Sequence, residues 1–335
     1  MKSLPKSFKL LNLPIFFSCI LFFSSCNNDD GVFDSEIREI VVDSSIEDTI
    51  VYVPVHNVKV PVYLSFPHGC TDNSPLPAVV VLHGSGGMWK DDDPDGRVMS
   101  SQFREWKELL NNNCIVGAFV DSFSGRGAVE KSGKWETPPE NFKISSQFIR
   151  SRDANAVLTQ LKKLKLEDGN SMISPANIAL LGFSDGGTSV ISTLYDTNST
   201  PLDWEWTQSF NGKEYDTSSG VMPPEPKPQQ GFSGGVFYYG GSGGYNYWGS
   251  STCNSNALEK NIYQNYAPIL FQIPIDDSLS EGSICLANLL AEKGRPVELN
   301  IYNGVGHGFD TDDNSQSKIA RDKTIDWLRK ILHID

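Results

Sequence analysis

Uninterrupted apolar runs alternate with helically spaced segments along most of this chain. Residues 78–82, 114–120, 177–181, 235–239, 268–273 and 296–302 are nearly continuous in Val, Ile, Leu, Phe and Tyr, the mark of strands buried on both faces. Between and after them, residues 102–110, 144–166, 187–195, 283–292 and 315–332 carry apolar residues three and four apart. In the last segment Ile319, Ile325, Leu328 and Ile331 should face inward, with Trp327 beside them. Residues 37–42, 49–53 and 58–66 are rich in β-branched residues with partial alternation and predict antiparallel opening strands, with Pro61 at an edge or a bulge. Such alternation of strand and helix predicts a mostly parallel central sheet with helices on both faces, an α/β domain over residues 37–335 without internal repeats. Residues 196–230 break the pattern. They lack clear periodicity, are rich in Trp, Ser and Pro, and form a loop insertion; Trp204 and Trp206 on it are candidates to line a substrate pocket or form a lid, set against a surface insertion with buried anchors.

The first 25 residues do not belong to this domain. Lys2, Lys6 and Lys9 precede an apolar stretch that is too short and interrupted for a membrane span and ends in Phe23-Ser24-Ser25-Cys26. Small residues before a cysteine, followed by Asn27-Asn28-Asp29-Asp30, resemble a bacterial lipoprotein signal. Cys26 would then be the lipidated first residue and 26–36 a tether, and the protein would be exported to the periplasm or the outer surface. Any membrane contact would run through that anchor. The chain's net charge of -13 and the lack of a Lys/Arg stripe argue against nucleic acid as a partner. Export also bears on the four remaining cysteines, which contain no C-x-x-C pair and predict no metal site. Of the three possible pairings, Cys253 with Cys285 is favoured, since both should lie just past the ends of neighbouring strands.

The chemistry converges on Gly182-Phe183-Ser184-Asp185-Gly186-Gly187. An apolar strand runs into Gly-x-Ser-x-Gly, and a helix-forming segment follows, so Ser184 should sit at the tip of a sharp strand-to-helix turn. The Asp185 N–H would then lie free at a helix N-terminus, ready to hold an oxyanion. The same five-residue pattern recurs at Gly231–Gly235 and Gly240–Gly244, but neither copy joins a strand to a helix. After the strand at 78–82 comes His83-Gly84-Ser85-Gly86-Gly87, where Gly84 or Ser85 can offer the second oxyanion N–H. His83 itself reads as a structural ring hydrogen-bonded inside that loop. Arg126, in the loop after strand 114–120, is a candidate contact for an acidic substrate group, set against a salt bridge to Asp121 or another nearby carboxylate.

Two further groups fall at the ends of later strands: Asp276-Asp277 and His307. A serine hydroxyl needs a base to take its proton, and that base needs a carboxylate to fix its tautomer and stabilise its cation. Ser184, an Asp at 277 and His307 supply the three in the order Ser, Asp, His, all on the strand edge where open α/β sheets place their ligands.

The segments 83–87, 121–127, 182–187, 276–285 and 296–310 together resemble the dienelactone hydrolase-like family of the α/β-hydrolases, with Asp121-Ser122-Phe123-x-x-Arg126-Gly127 and Gly304-x-x-His307-Gly308-Phe309-Asp310 the most distinctive. The resemblance implies the α/β-hydrolase fold, with Asp277 on the acid position and Asp276 as the alternative. Pro274 stands where the family usually has glycine. The members that name the family use a cysteine nucleophile; serine here points to carboxylic-ester hydrolysis through an acyl-enzyme, on a small-molecule or glycan-linked ester, without metal or organic cofactor. A peptidase or acyltransferase on the same fold, or a non-catalytic surface lipoprotein binding glycan or peptide, are the alternatives.

Overall fold

The computed structural model describes residues 41–42, 47–70, 75–242 and 246–334. The expected export signal, the tether and Cys26 lie outside the described residues, as do Gly243 and Gly244 of the third Gly-x-Ser-x-Gly match. In chain order the strands are β1 (Val41–Val42), β2 (Thr49–Val55), β3 (Val58–Ser65), β4 (Leu76–Leu82), β5 (Val116–Val120), β6 (Lys165–Leu166), β7 (Ile173–Phe183), β8 (Gln208–Phe210), β9 (Lys213–Tyr215), β10 (Gly235–Tyr238), β11 (Ile269–Pro274) and β12 (Val297–Tyr302). The helices are α1 (Ser101–Asn111), α2 (Arg150–Leu161), α3 (Asp185–Thr193), α4 (Ala257–Lys260), α5 (Ser280–Glu292) and α6 (Ser315–Ile331).

Eight strands form one sheet in the order β12-β11-β10-β7-β4-β5-β3-β2. All are parallel except β3, which is antiparallel to both neighbours. Side chains alternate across the central strands, so each face has its own core. Ala78, Val80, Leu82, Leu180 and Phe271 pack with α2, α3 and α5. Val79, Val81, Phe119, Leu181, Phe183 and Tyr238 pack on the other face with Phe103, Trp106 and Leu110 of α1 and Trp327 and Leu328 of α6. Phe183, the last residue before Ser184, is wedged against Trp106 and Tyr238, which fixes the end of β7 from below.

Several expectations need correction. The first opening strand does not join the antiparallel pair: Val41–Val42 pairs in parallel with Lys165–Leu166 in a separate two-stranded sheet. Pro61 marks neither an edge nor a bulge. It lies one residue past the last β3–β5 pair, and its carbonyl accepts from the Asp121 N–H. The helix expected from 144 starts at Arg150, because a short 3-10 turn over Asn141–Ile144 ends in an extended Ser145 (φ -60°, ψ 131°) that interrupts the helical backbone. Ile319 is 42% exposed, because Ala320, Thr324 and Leu328 form the inward stripe of α6 and leave Ile319 one position off it. Inside the 196–230 insertion, β8 and β9 form a hairpin closed by Asn211-Gly212, both with positive φ (49° and 78°). Two consecutive left-handed residues suit Asn-Gly and match the twist of the paired strands.

Candidate active site

Ser184 sits between β7 and α3 with φ 53° and ψ -118°, a strained conformation for a residue with a side chain. Neighbouring bonds hold it there: its N–H donates to Tyr238 O at 2.9 Å, and its carbonyl accepts from Thr188 N. The flanking glycines are required by space. A Cβ on Gly182 would stand 2.2 Å from Gly186 O, and one on Gly186 would stand 2.1 Å from Leu82 O. The turn therefore closes only where both residues lack side chains.

His307 Nε2 lies 2.9 Å from Ser184 Oγ, and His307 Nδ1 lies 2.6 Å from Asp277 Oδ2. The carboxylate can only accept, so Nδ1 carries the proton and donates, leaving the Nε2 lone pair for the serine O–H. Asp277 is nearly buried, 3% exposed at its side chain, whereas His307 is 44% exposed. The second carboxylate oxygen, Oδ1, accepts from Leu279 N at 3.0 Å, which locks the Asp277 rotamer. Asp276, the alternative acid, is exposed; only its backbone takes part here, donating to Val305 O.

On the other side of Ser184 lies the loop after β4. A Cβ on Gly84 would come 3.4 Å from Ser184 Cβ, so the Gly84 backbone passes directly beside the serine. The Asp185 N–H occupies the first turn of α3, where the helix supplies no acceptor. The Gly84 backbone and the first residue of α3, Asp185, thus both lie next to Ser184. A hydroxyl hydrogen-bonded to an imidazole in this way can pass its proton to that ring as it attacks a carbonyl.

His83 does not belong to the reacting set. Its ring is buried, with Nδ1 2.7 Å from Gly84 O and Nε2 accepting from Ser122 N at 3.3 Å. Nδ1 therefore carries the proton of a neutral ring. Burial first, and then the positive charge of Arg150, push its pKa down to about 3. Unfolded, the same ring titrates near 6.5. Between those values the unfolded chain binds a proton that the folded one refuses. The contribution of a neutral His83 to stability is therefore complete above about pH 6.5 and is lost as pH falls toward about 3. Urea unfolding from pH 7 to pH 4 should show a decline, up to about 1.4 kcal/mol per pH unit, that a His83→Asn variant lacks.

The structure reassigns three candidates. Arg126 makes a two-pronged pair with Asp153 at 2.6 and 2.9 Å and bonds Ser122 O at 2.6 Å, so its guanidinium, 9% exposed, is taken up by a nearby carboxylate. Asp121 bonds Trp89 Nε1 and the Phe123 and Ser124 N–H groups instead. Trp204 packs on Trp206, and Trp206 packs in turn on Tyr195, Tyr247 and Trp248. Tyr195 follows the C-terminal end of α3, the far end of that helix from Ser184, so the two tryptophans anchor the insertion. Cys253 pairs with Cys285 (Cα–Cα 5.1 Å) and Cys70 with Cys114 (5.7 Å). Cys285 lies within α5, not past a strand end, so the bridge ties the loop after β10 to the helix that follows Asp277.

Two groups of residues escaped the sequence reading. Buried Asp310 accepts from Tyr239 OH, from Trp106 Nε1 at 2.8 Å and from Gln102 Nε2 at 3.0 Å. Burial raises its pKa, against the pull of these donors. The Tyr239 ring lies 4.8 Å from the His307 ring, so this cluster braces the imidazole from behind. The second group is Arg150 and Lys131, both paired with Asp185. Asp310 was visible in the segment Gly304–Asp310; the Arg150 pairing has no local sequence signal.

No protein-family model matches this chain, and no curated protein sequence matches it. Solved structures do. Thermogutta terrifontis esterase 2 phosphorylated by paraoxon aligns over 85% of this chain and 94% of its own, at 13% identity and a TM-score of 0.53. The propionate-bound form of that esterase aligns over 85% and 93%, at 14% identity and 0.52. A Klebsiella pneumoniae protein assigned as a dienelactone hydrolase aligns over 85% and 98%, at 14% identity and 0.53. With its sheet order and its strand-serine-helix turn, the chain has the α/β-hydrolase fold.

Proposed function

We propose that this protein is a serine hydrolase of carboxylic esters, exported and tethered by a lipid on Cys26, with one catalytic domain over residues 37–335. The observation that carries the activity is the unbroken hydrogen-bonded chain from Asp277 through His307 to Ser184. The likeness to a solved esterase with a paraoxon-derived phosphoryl group, and to the same esterase with propionate, favours ester chemistry.

Ser184 Oγ attacks the ester carbonyl carbon as its proton passes to His307 Nε2. The carbonyl oxygen becomes an oxyanion held by the N–H groups of Asp185 and of Gly84 or Ser85. The C–O bond to the alcohol then breaks, and His307 returns the proton to the leaving alkoxide. Water next attacks the acyl-enzyme, losing its proton to His307, and the acid departs as Ser184 recovers its hydrogen. Asp277 stays ionised throughout and stabilises the imidazolium. Each oxyanion donor contributes about 10²–10³ in turnover. These steps use the chain's own side chains, its backbone N–H groups and water.

The test is a panel of nitrophenyl esters from acetate to octanoate, run alongside labelling by a fluorophosphonate probe. Hydrolysis with labelling at Ser184 supports the assignment, and the preferred acyl length sizes the pocket. A wild-type protein that turns over no ester and leaves the probe unreacted sinks it and moves the weight to a binding protein.

A further inference from the structure

Arg150 opens α2 and is fully buried, yet no step above uses it. Its guanidinium bridges the two backbone segments that carry the oxyanion donors. Nη1 donates to Asp185 Oδ2 at 2.8 Å and Nη2 donates to His83 O at 2.5 Å. The His83 carbonyl and the Gly84 N–H are opposite ends of one planar trans peptide. Fixing the oxygen from one side therefore sets the direction of the N–H on the other. The elbow presses on the same oxygen, since a Cβ on Gly186 would come 2.6 Å from it. A cation bonded to a peptide carbonyl also polarises the unit and strengthens its N–H as a donor.

Asp185 completes the arrangement. A bare carboxylate on the residue next to the nucleophile would oppose an oxyanion forming there. Instead its two oxygens are matched by two cations, Arg150 and Lys131, and by the Ser146 hydroxyl at 3.1 Å. Burial alone would raise the pKa of this carboxyl, but Lys131 and Arg150 hold it well below the usual range, so it stays ionised and paired. Lys131 adds a backbone tie: its N–H donates to Ser85 O at 2.7 Å.

We propose that Arg150 is the positioning residue of the oxyanion hole, aiming and polarising the Gly84 N–H through the His83 carbonyl and neutralising Asp185 beside the other donor. The proposal rests on the ester-hydrolase reading of the same site. Arg150 touches no substrate; it acts through the peptides it holds. A plain structural ion pair would affect folding and leave transition-state binding alone, which separates the two roles.

The experiment compares wild type, Arg150→Met and Arg150→Lys in the full chain. It measures kcat and KM on nitrophenyl acetate, the inhibition constant of a trifluoromethyl ketone, and thermal unfolding. The ketone's adduct with serine places an oxyanion in the hole. Arg150→Met should lower kcat by about 10²–10³, with KM within about threefold and ketone affinity falling in proportion to kcat/KM. Arg150→Lys keeps the buried charge, which guards against a variant that does not fold, but an ammonium cannot hold both acceptors in a fork. It should still lose at least about tenfold in kcat and in ketone affinity. A folded Arg150→Lys protein with wild-type kcat and wild-type ketone affinity overturns the proposal, as does a kcat loss with ketone affinity unchanged. A wild-type protein without ester hydrolysis or probe labelling is a different failure: it sinks the esterase reading, and this inference with it.

Discussion

Replacing Ser184 by alanine lowers kcat/KM for the preferred nitrophenyl ester by about 10⁴–10⁶. The variant loses the oxygen placed 2.9 Å from His307 Nε2, and with it the acyl-enzyme route. The activity left over water would come from the oxyanion donors and substrate binding, which the substitution leaves in place. The fold should survive. Alanine keeps the Cβ, so the strain at φ 53° is that of the wild type. His307 is 44% exposed and can turn to water for the lost bond, so no buried polar group is orphaned. Thermal unfolding of the variant should therefore track wild type while hydrolysis disappears at every chain length from acetate to octanoate. His307→Ala should cost a similar factor, and the double variant little more than either alone, because the two groups act as a unit. A Ser184→Ala protein that hydrolyses esters at the wild-type rate rules out the nucleophile assigned here.

The sequence carries the nucleophile turn because several constraints there are local. An apolar strand, glycines at two fixed spacings and a helix-forming segment all fall within twenty residues, and the close approach of Gly182 to Gly186 and of Gly186 to Leu82 explains why no other residue type serves. The two other Gly-x-Ser-x-Gly matches lack those neighbours. Ser233 precedes β10 and bonds Ala176 O, while Gly240 packs against Ser184 O itself. Buried strands were legible for a similar reason, since uninterrupted apolar runs have few other destinations. The illegible parts depend on partners far apart in the chain. Arg150 meets Asp185 and His83 at separations of 35 and 67 residues, and no periodicity of α2 marks it. Trp204 and Trp206 gave a correct signal of importance but not its direction, because a tryptophan that lines a pocket and one that anchors a loop look the same in sequence. The β8–β9 hairpin was a readable miss: Asn211-Gly212 is a strong hairpin turn, but its flanking strands are only three residues long and show no alternation.

The choice between Asp276 and Asp277 yields the second large effect. Asp277→Asn should lower kcat by about 10⁴, and Asp276→Asn should leave it within about threefold of wild type. The size of the first follows from how Asp277 divides its oxygens. Oδ1 takes the Leu279 N–H and Oδ2 takes His307 Nδ1. An asparagine in the same rotamer must give its single carbonyl oxygen to one of these donors. The Leu279 N–H is a fixed backbone donor and cannot reverse, whereas the imidazole can change tautomer. The amide oxygen therefore goes to Leu279, and the –NH₂ group faces Nδ1, which must then present a lone pair. The ring proton moves to Nε2, where it blocks acceptance of the Ser184 proton. Binding is untouched, so KM should change far less than kcat, and the stability loss should be small because every donor keeps an acceptor. Asp276 has no such role: its carboxylate is exposed, and only its main-chain N–H is engaged, with Val305 O. Steady-state rates of the two variants on one ester decide the matter. A large loss at Asp276 with little at Asp277 would move the acid by one residue. Near-wild-type rates in both would mean that His307 works without a carboxylate, against the 2.6 Å contact that now orients it.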